Sequence, residues 1–235
     1  MKEQGYKPPM LNLPNILTTI RLFAAILLPV SFLYFTRPFA DWAALILFVG
    51  AALTDWVDGF LARAWQQTSR LGAMLDPIAD KAMVIIALTV IVGLTYAPSA
   101  GGLDPMIILP ASLIIFREVF VSGLREFLGD QSSELKVTKI AKWKTTVQMV
   151  AIAMLFATGV FEHYLGMLSF GMDRDMIHQI LTGAQDDLMG LNLHYKGMMF
   201  SWTGGVVMLW VAAILTIVTG WDYFRKSLPF LRGPK

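Results

Sequence analysis

Residues 55–80 read DWVDGFLARAWQQTSRLGAMLDPIAD and set Asp55, Asp58, Asp76 and Asp80 close together in an otherwise oily chain. Each carboxylate in hydrocarbon costs about 2.5–3.5 kcal/mol or more unless it is compensated. Something cationic must therefore neutralise them, and metal ions are the first candidates. The 235 residues of the chain are 56% hydrophobic and only 15% charged, with a positive mean hydropathy. That composition belongs to membrane proteins rather than soluble domains. The length suits one bundle of about six spanning helices at roughly 20 residues each. A formal net charge of +2 points to no nucleic-acid partner. The lack of cysteine removes disulfides, thiolate metal sites and cysteine nucleophiles together.

The expected fold is all-α and polytopic, a single domain over 1–235 with six transmembrane helices near 16–36, 41–65, 74–97, 106–129, 136–164 and 198–225. The segment 16–35 is apolar except for Arg21. It is longer than a signal-peptide core and lacks a clear cleavage context, so it reads as a retained spanning helix. The run 198–221 carries no charge at all. The four helices between them are lopsided, each with an apolar half and a charged half. If helices alternate direction, the charged halves fall on one side of the membrane. The 13 apolar residues of 42–54 span only about 20 Å of a hydrocarbon core roughly 30 Å thick. Asp55 and its neighbours thus begin inside the membrane or at its boundary, and the charged halves should face a water-accessible polar cavity.

Orientation follows from the basic residues. With the N-terminus inside, only Arg37, Arg174 and Lys196 of the 19 Lys and Arg fall outside, a strong positive-inside bias. The cavity then opens to the cytoplasm, both termini are cytoplasmic, and a bacterial cytoplasmic (inner) membrane is the expected location. The outer loop 166–197 holds acidic pairs at Asp173 and Asp175 and at Asp186 and Asp187. Ile177, Ile180, Leu181, Leu188 and Leu191 within it have partly helical spacing. It reads either as an element resting on the outer surface or against another subunit, or as a solvated connector.

Asp55 and Asp58 are three apart and Asp76 and Asp80 four apart, so each pair shares a helix face. Oxygen-only ligands suit hard cations such as Mg²⁺, Mn²⁺ or Ca²⁺ rather than zinc. Two such ions would clamp a diphosphate and stabilise attacking and leaving oxygens. Gly59 and Ala62 let a ligand approach the backbone, and Arg63 adds a permanently charged donor for phosphate. The segment 65–71 reads as a polar turn with Gly72 supporting a tight return. Thr68 in that turn is either a contact for nucleotide phosphate or simply solvated.

Asp, two residues, Asp-Gly, two residues, Ala-Arg, eight residues, Gly, three residues, Asp, three residues, Asp is the signature of the CDP-alcohol phosphotransferases, and this chain, with all eight positions filled, resembles that family. Further segments are similar to its branch that uses glycerol 3-phosphate. These are Leu13-Pro14-Asn15-Ile16-Leu17-Thr18, Arg117-Glu118 with Ser122-Gly123-Leu124-Arg125-Glu126-Phe127, and Lys142-Trp143-Lys144-Thr145-Thr146 with Gln148-Met149. The long outer loop departs from compact members.

The resemblance implies transfer of a phosphatidyl group from CDP-diacylglycerol to the 1-hydroxyl of sn-glycerol 3-phosphate, with release of CMP. It implies two divalent cations, Mg²⁺ or Mn²⁺, on Asp55, Asp58, Asp76 and Asp80, with Asp80 also the general base. It places CDP-diacylglycerol against Asp55, Asp58, Gly59, Ala62, Arg63, Thr68 and Gly72, and it suggests a homodimer. Because the donor's chains stay among membrane lipids while the nucleotide and acceptor are water-soluble, the site belongs at the inner boundary.

The acceptor's phosphate needs its own cations. Arg117 and Arg125 are eight apart on one helix face, and together with Lys142 and Lys144 they are the candidates. For Lys144, as for Lys136 and Lys139, a basic cluster on anionic lipid is an equal alternative. Asn15, Thr18 and Arg21 reach the nucleotide or serve as helix cap and interfacial anchor. His163, His178 and His194 lack ligand spacing. The competing readings are a family member using inositol phosphate, serine or phosphatidylglycerol as acceptor and, from another class, a divalent-cation transporter.

Overall fold

A computed structural model of the protein describes residues 13–64, 70–97, 102–129 and 139–231. The chain is an all-α polytopic membrane protein. Its helices are α1 (Leu13–Tyr34), α2 (Phe39–Ala64), α3 (Arg70–Leu94), α4 (Pro105–Leu128), α5 (Lys139–Leu168), α6 (Arg174–Thr182) and α7 (Leu191–Leu231). Between α3 and α4, strands β1 (Tyr96–Ala97) and β2 (Gly102–Leu103) pair antiparallel, with Tyr96 opposite Leu103. Among the described residues, α1, α3, α4, α5 and α7 are long and apolar enough to cross a membrane. That makes five spans where six are expected. Of the other two helices, α6 has 9 residues and α2 has 26, with an uninterrupted apolar part between Asp41 and Asp55.

Large apolar side chains such as Phe23, Leu33, Phe116, Phe200 and Trp221 are exposed along these helices. In water so much apolar surface would drive association; in a bilayer it is the lipid-facing side.

The chain forms two compact units, Met1–Ala87 and Leu88–Lys235. In the first, α1 packs on α2. Buried Asn15, Thr18, Arg21, Ala25 and Leu28 recur at helical spacing and give α1 a face that is polar at one end and apolar at the other. Buried Ala40, Asp41, Ala44, Phe48 and Ala51 do the same for α2. Ala40, Ala44 and Ala51 on α2 and Ala25 on α1 allow close helix approach where lipid offers no hydrophobic drive to association.

In the second unit, α5 and α4 each pack on α7, and α6 also touches α7. Gly197 and Gly205 make the α5 contact possible. A Cβ at Gly197 would lie 2.6 Å from the Phe161 ring, and one at Gly205 would lie 2.9 Å from Leu155 Cγ. Trp210 Nε1 on α7 donates to the Met106 carbonyl of α4 at 3.1 Å.

The expected outer loop, 166–197, holds the end of α5, all of α6 and the start of α7. Its acidic residues explain the difference, because they cap helices. Asp173 accepts from Met176 N at 2.7 Å, and Gly183 closes α6 in the left-handed region at φ 78°, a conformation glycine adopts without strain. Asp187 accepts from Leu191 N and Asn192 N, both at 2.8 Å, at the start of α7. These N–H groups hold the Asp187 carboxyl below its usual pKa.

Candidate active site

Three helices of the first unit carry the acidic site. Along α1, Thr18 and Arg21 are three residues apart and so share a face. Thr18 Oγ1 donates to Asp76 Oδ1 on α3 at 2.6 Å. Arg21 Nη1 donates to Asp55 Oδ1 on α2 at 2.7 Å and also to Asp80 Oδ1 on α3. One face of α1 thereby gathers three carboxylates from two other helices. The arginine side chain is only 2% exposed, whereas Asp55 and Asp80 are 44% and 47% exposed. The cation lies beneath, and the carboxylates keep open surface for a ligand.

The α2 backbone stays helical through Ala64, so Asp55 and Asp58 keep their helical spacing. The side chains of Asp58, Gly59, Ala62 and Arg63, and all of Thr68, lie outside the described residues. Gly72 departs from expectation. The helix α3 begins at Arg70, so Gly72 is a buried helical residue and not the pivot of a tight return. Leu71 and Gly72 continue the helix that carries Asp76 and Asp80, and what Gly72 contributes is the absence of a side chain.

Among the described residues, no three of His, Asp and Glu come close enough to cage a metal ion. The donor set nevertheless fits a hard divalent cation. It is carboxylate oxygen without sulfur or imidazole, and a guanidinium nitrogen already stands where Asp55 and Asp80 converge. A positive charge is what that point requires.

A second cluster lies in the second unit. Arg117 Nη1 on α4 donates to Glu118 Oε1 at 3.2 Å, and Lys144 Nζ on α5 donates to the same oxygen. All three side chains are largely buried. Gly220 on α7 makes room for the Arg117 stem, since a Cβ there would lie 3.1 Å from Arg117 Cγ. Arg125 donates to the Tyr223 hydroxyl of α7 and lies 5.1 Å over the centroid of that ring, a cation–π geometry. The structure thus brings Arg117 and Lys144 together through Glu118 and pairs Arg125 separately with Tyr223. The side chain of Lys142 lies outside the described residues.

Arg117 Nε, Gln148 Oε1 on α5 and Thr216 Oγ1 on α7 are buried without a hydrogen-bond partner among the described residues. Buried polar atoms are nearly always satisfied, so these three are exceptions within the second unit. Gln148 lies one turn beyond Lys144, and Thr216 one turn before Gly220.

Spacing and composition assign no role to Glu118, Gln148, Thr216 or Tyr223, and they fit Thr18 and Arg21 to two roles equally. For Arg21 a signal existed: a lone arginine in a 20-residue apolar stretch requires a counter-charge, and the acidic stretch is the nearest supply.

Residues 11–218 match the model of a family described as CDP-alcohol phosphatidyltransferase. A protein of Cereibacter sphaeroides named CDP-diacylglycerol–glycerol-3-phosphate 3-phosphatidyltransferase is 54% identical over 225 residues, covering 95% of this chain and 99% of the relative. Proteins of the same name from Shigella flexneri and Salmonella typhimurium are 38% identical over 187 and 188 residues, covering 76% of this chain and 97% of each relative.

Proposed function

The chain belongs to the CDP-alcohol phosphatidyltransferase family, and from that membership we propose that it transfers a phosphatidyl group from CDP-diacylglycerol to sn-glycerol 3-phosphate, giving phosphatidylglycerophosphate and CMP. The convergence of Asp55, Asp76 and Asp80 on one face of α1 is the observation that carries this reading. It gathers the signature carboxylates at a point that demands positive charge. The name shared by relatives at 54% and 38% identity supports the choice of acceptor.

Asp55, Asp58, Asp76 and Asp80 are the residues that would hold two divalent cations, Mg²⁺ or Mn²⁺. When bound, such ions neutralise the diphosphate and stabilise the departing CMP oxygen. The chain's own residues do the rest. Gly59, Ala62 and Gly72 admit the nucleotide to the backbone, and Arg63 and Thr68 contact its phosphates. Asp80 accepts the proton of the acceptor's 1-hydroxyl as that oxygen bonds to the phosphatidyl phosphorus and the bond to CMP breaks. Arg117, Arg125, Lys142 and Lys144 hold the acceptor's phosphate, with Glu118 fixing Arg117 and Lys144 relative to each other.

Residues 1–235 act as one catalytic domain in a homodimer in the bacterial cytoplasmic membrane, with the site and both termini toward the cytoplasm. The excess of Lys and Arg on that side supports the orientation.

The reading is tested with purified protein, CDP-diacylglycerol and Mg²⁺ or Mn²⁺, by measuring CMP release with glycerol 3-phosphate, inositol phosphate or serine in parallel. CMP is expected with glycerol 3-phosphate. Release with another acceptor and none with glycerol 3-phosphate would overturn the assignment.

A further inference from the structure

Arg21 is the only charged residue within 16–35, and its side chain is almost completely buried. Its Nη1 bonds one oxygen each of Asp55 and Asp80, which come from two different helices. Two carboxylates held on one nitrogen would repel each other without the intervening charge. Thr18, one turn earlier on the same face, fixes Asp76 through a neutral hydroxyl. The two side chains divide the task. Thr18 orients one carboxylate, and Arg21 both orients and neutralises a pair.

We propose that Arg21 is a positioning residue of the acidic site, a resident cation that holds Asp55 and Asp80 together from beneath and offsets their repulsion whether or not a divalent cation is present. This rests on the proposed divalent-cation role of the four aspartates. Three observations argue against an interfacial anchor. An anchor arginine snorkels its head toward water, whereas this head is buried. An anchor needs no partner, whereas this one bonds two carboxylates 34 and 59 residues away in sequence. Its burial beneath half-exposed carboxylates also sets it behind the ligand-facing surface, as befits a group acting through others and not on substrate.

The function of a resident cation is to make the site tolerant of cation loss. Without Arg21, Asp55 and Asp80 would depend on the divalent cation alone for neutralisation. A ligand that stabilises only the folded state adds stability in proportion to the logarithm of its concentration over Kd. A site relieved of more repulsion on binding shows the larger gain.

The test is the thermal unfolding midpoint of the purified full chain in detergent, with EDTA and with saturating Mn²⁺, for wild type, Arg21→Gln and Arg21→Lys. Arg21→Gln should lose several degrees in EDTA and recover most of that loss in Mn²⁺. Its Mn²⁺-induced shift would then clearly exceed that of wild type. Arg21→Lys keeps the charge and should show a shift close to wild type, which retains a test if the glutamine variant does not fold. Equal losses in EDTA and Mn²⁺ would mean a purely structural role and would overturn the proposal. So would a lysine variant that behaves like glutamine, or an Arg21→Gln protein as stable as wild type. A wild type that does not respond to Mn²⁺ would instead overturn the divalent-cation role of the aspartates, so the two failures are distinguishable.

Discussion

Arg21 and Glu118 act alike: each is a buried charge of one sign bound to two groups of the other sign. Arg21 bonds Asp55 and Asp80, and Glu118 bonds Arg117 and Lys144. The four aspartates and the basic residues were legible in the sequence because a charge in an oily chain stands out. Their pairing was less legible, because spacing relates residues within one helix whereas Arg21 meets Asp55 and Asp80, and Lys144 meets Glu118, from different helices. Two expectations follow. Asp80→Asn should lower kcat by about 10²–10⁴, the usual worth of a general base, with an unchanged circular dichroism spectrum; full activity would remove Asp80 from the base role. Glu118→Gln keeps an acceptor for Lys144 but loses its charge, so KM for glycerol 3-phosphate should rise about tenfold, or about 1.4 kcal/mol of binding, more than kcat falls. Steady-state kinetics with the acceptor varied would show the split.

Helix extents were less legible than charges. Hydropathy recognises lipid contact rather than helicity, so the polar start of α7, with His194, Tyr195 and Lys196, reads as loop although the helix begins at Leu191. The short helix α6 was hidden for a related reason. Asp173 and Asp187 look like surface charge in a sequence, yet each accepts backbone N–H groups at a helix start. The depressed pKa of Asp187 fixes a sign. A carboxyl with a lowered folded pKa stabilises the folded form above its unfolded value of about 3.9, and that contribution disappears as pH falls through the folded value. Amide exchange at Leu191 and Asn192, corrected for intrinsic rates, should be slow near neutral pH and lose protection in acid. Asp187→Ala should already have lost it at neutral pH.

The packing of α5 on α7 carries a further expectation. Gly205 admits Leu155 so closely that a Cβ would meet its Cγ at 2.9 Å. Overpacking of this kind costs typically 1–3 kcal/mol, so Gly205→Val should lower the unfolding midpoint in detergent, whereas a wild-type midpoint would show that Leu155 yields freely.

For the molecule as a whole, composition alone identified a membrane protein, and the many exposed phenylalanines, leucines and isoleucines along the helices agree with it. What composition could not supply was the chemistry, which depends on a few polar residues set against that apolar background. Asp55, Asp76 and Asp80 lie in one compact unit and the Arg117, Glu118 and Lys144 cluster in the other. The most direct test supplies purified protein with CDP-diacylglycerol, Mg²⁺ and radiolabelled glycerol 3-phosphate, and follows label into the lipid phase alongside CMP. Label is expected in lipid, equimolar with CMP and lost in Asp80→Asn. CMP released without label entering lipid would contradict the proposed transfer.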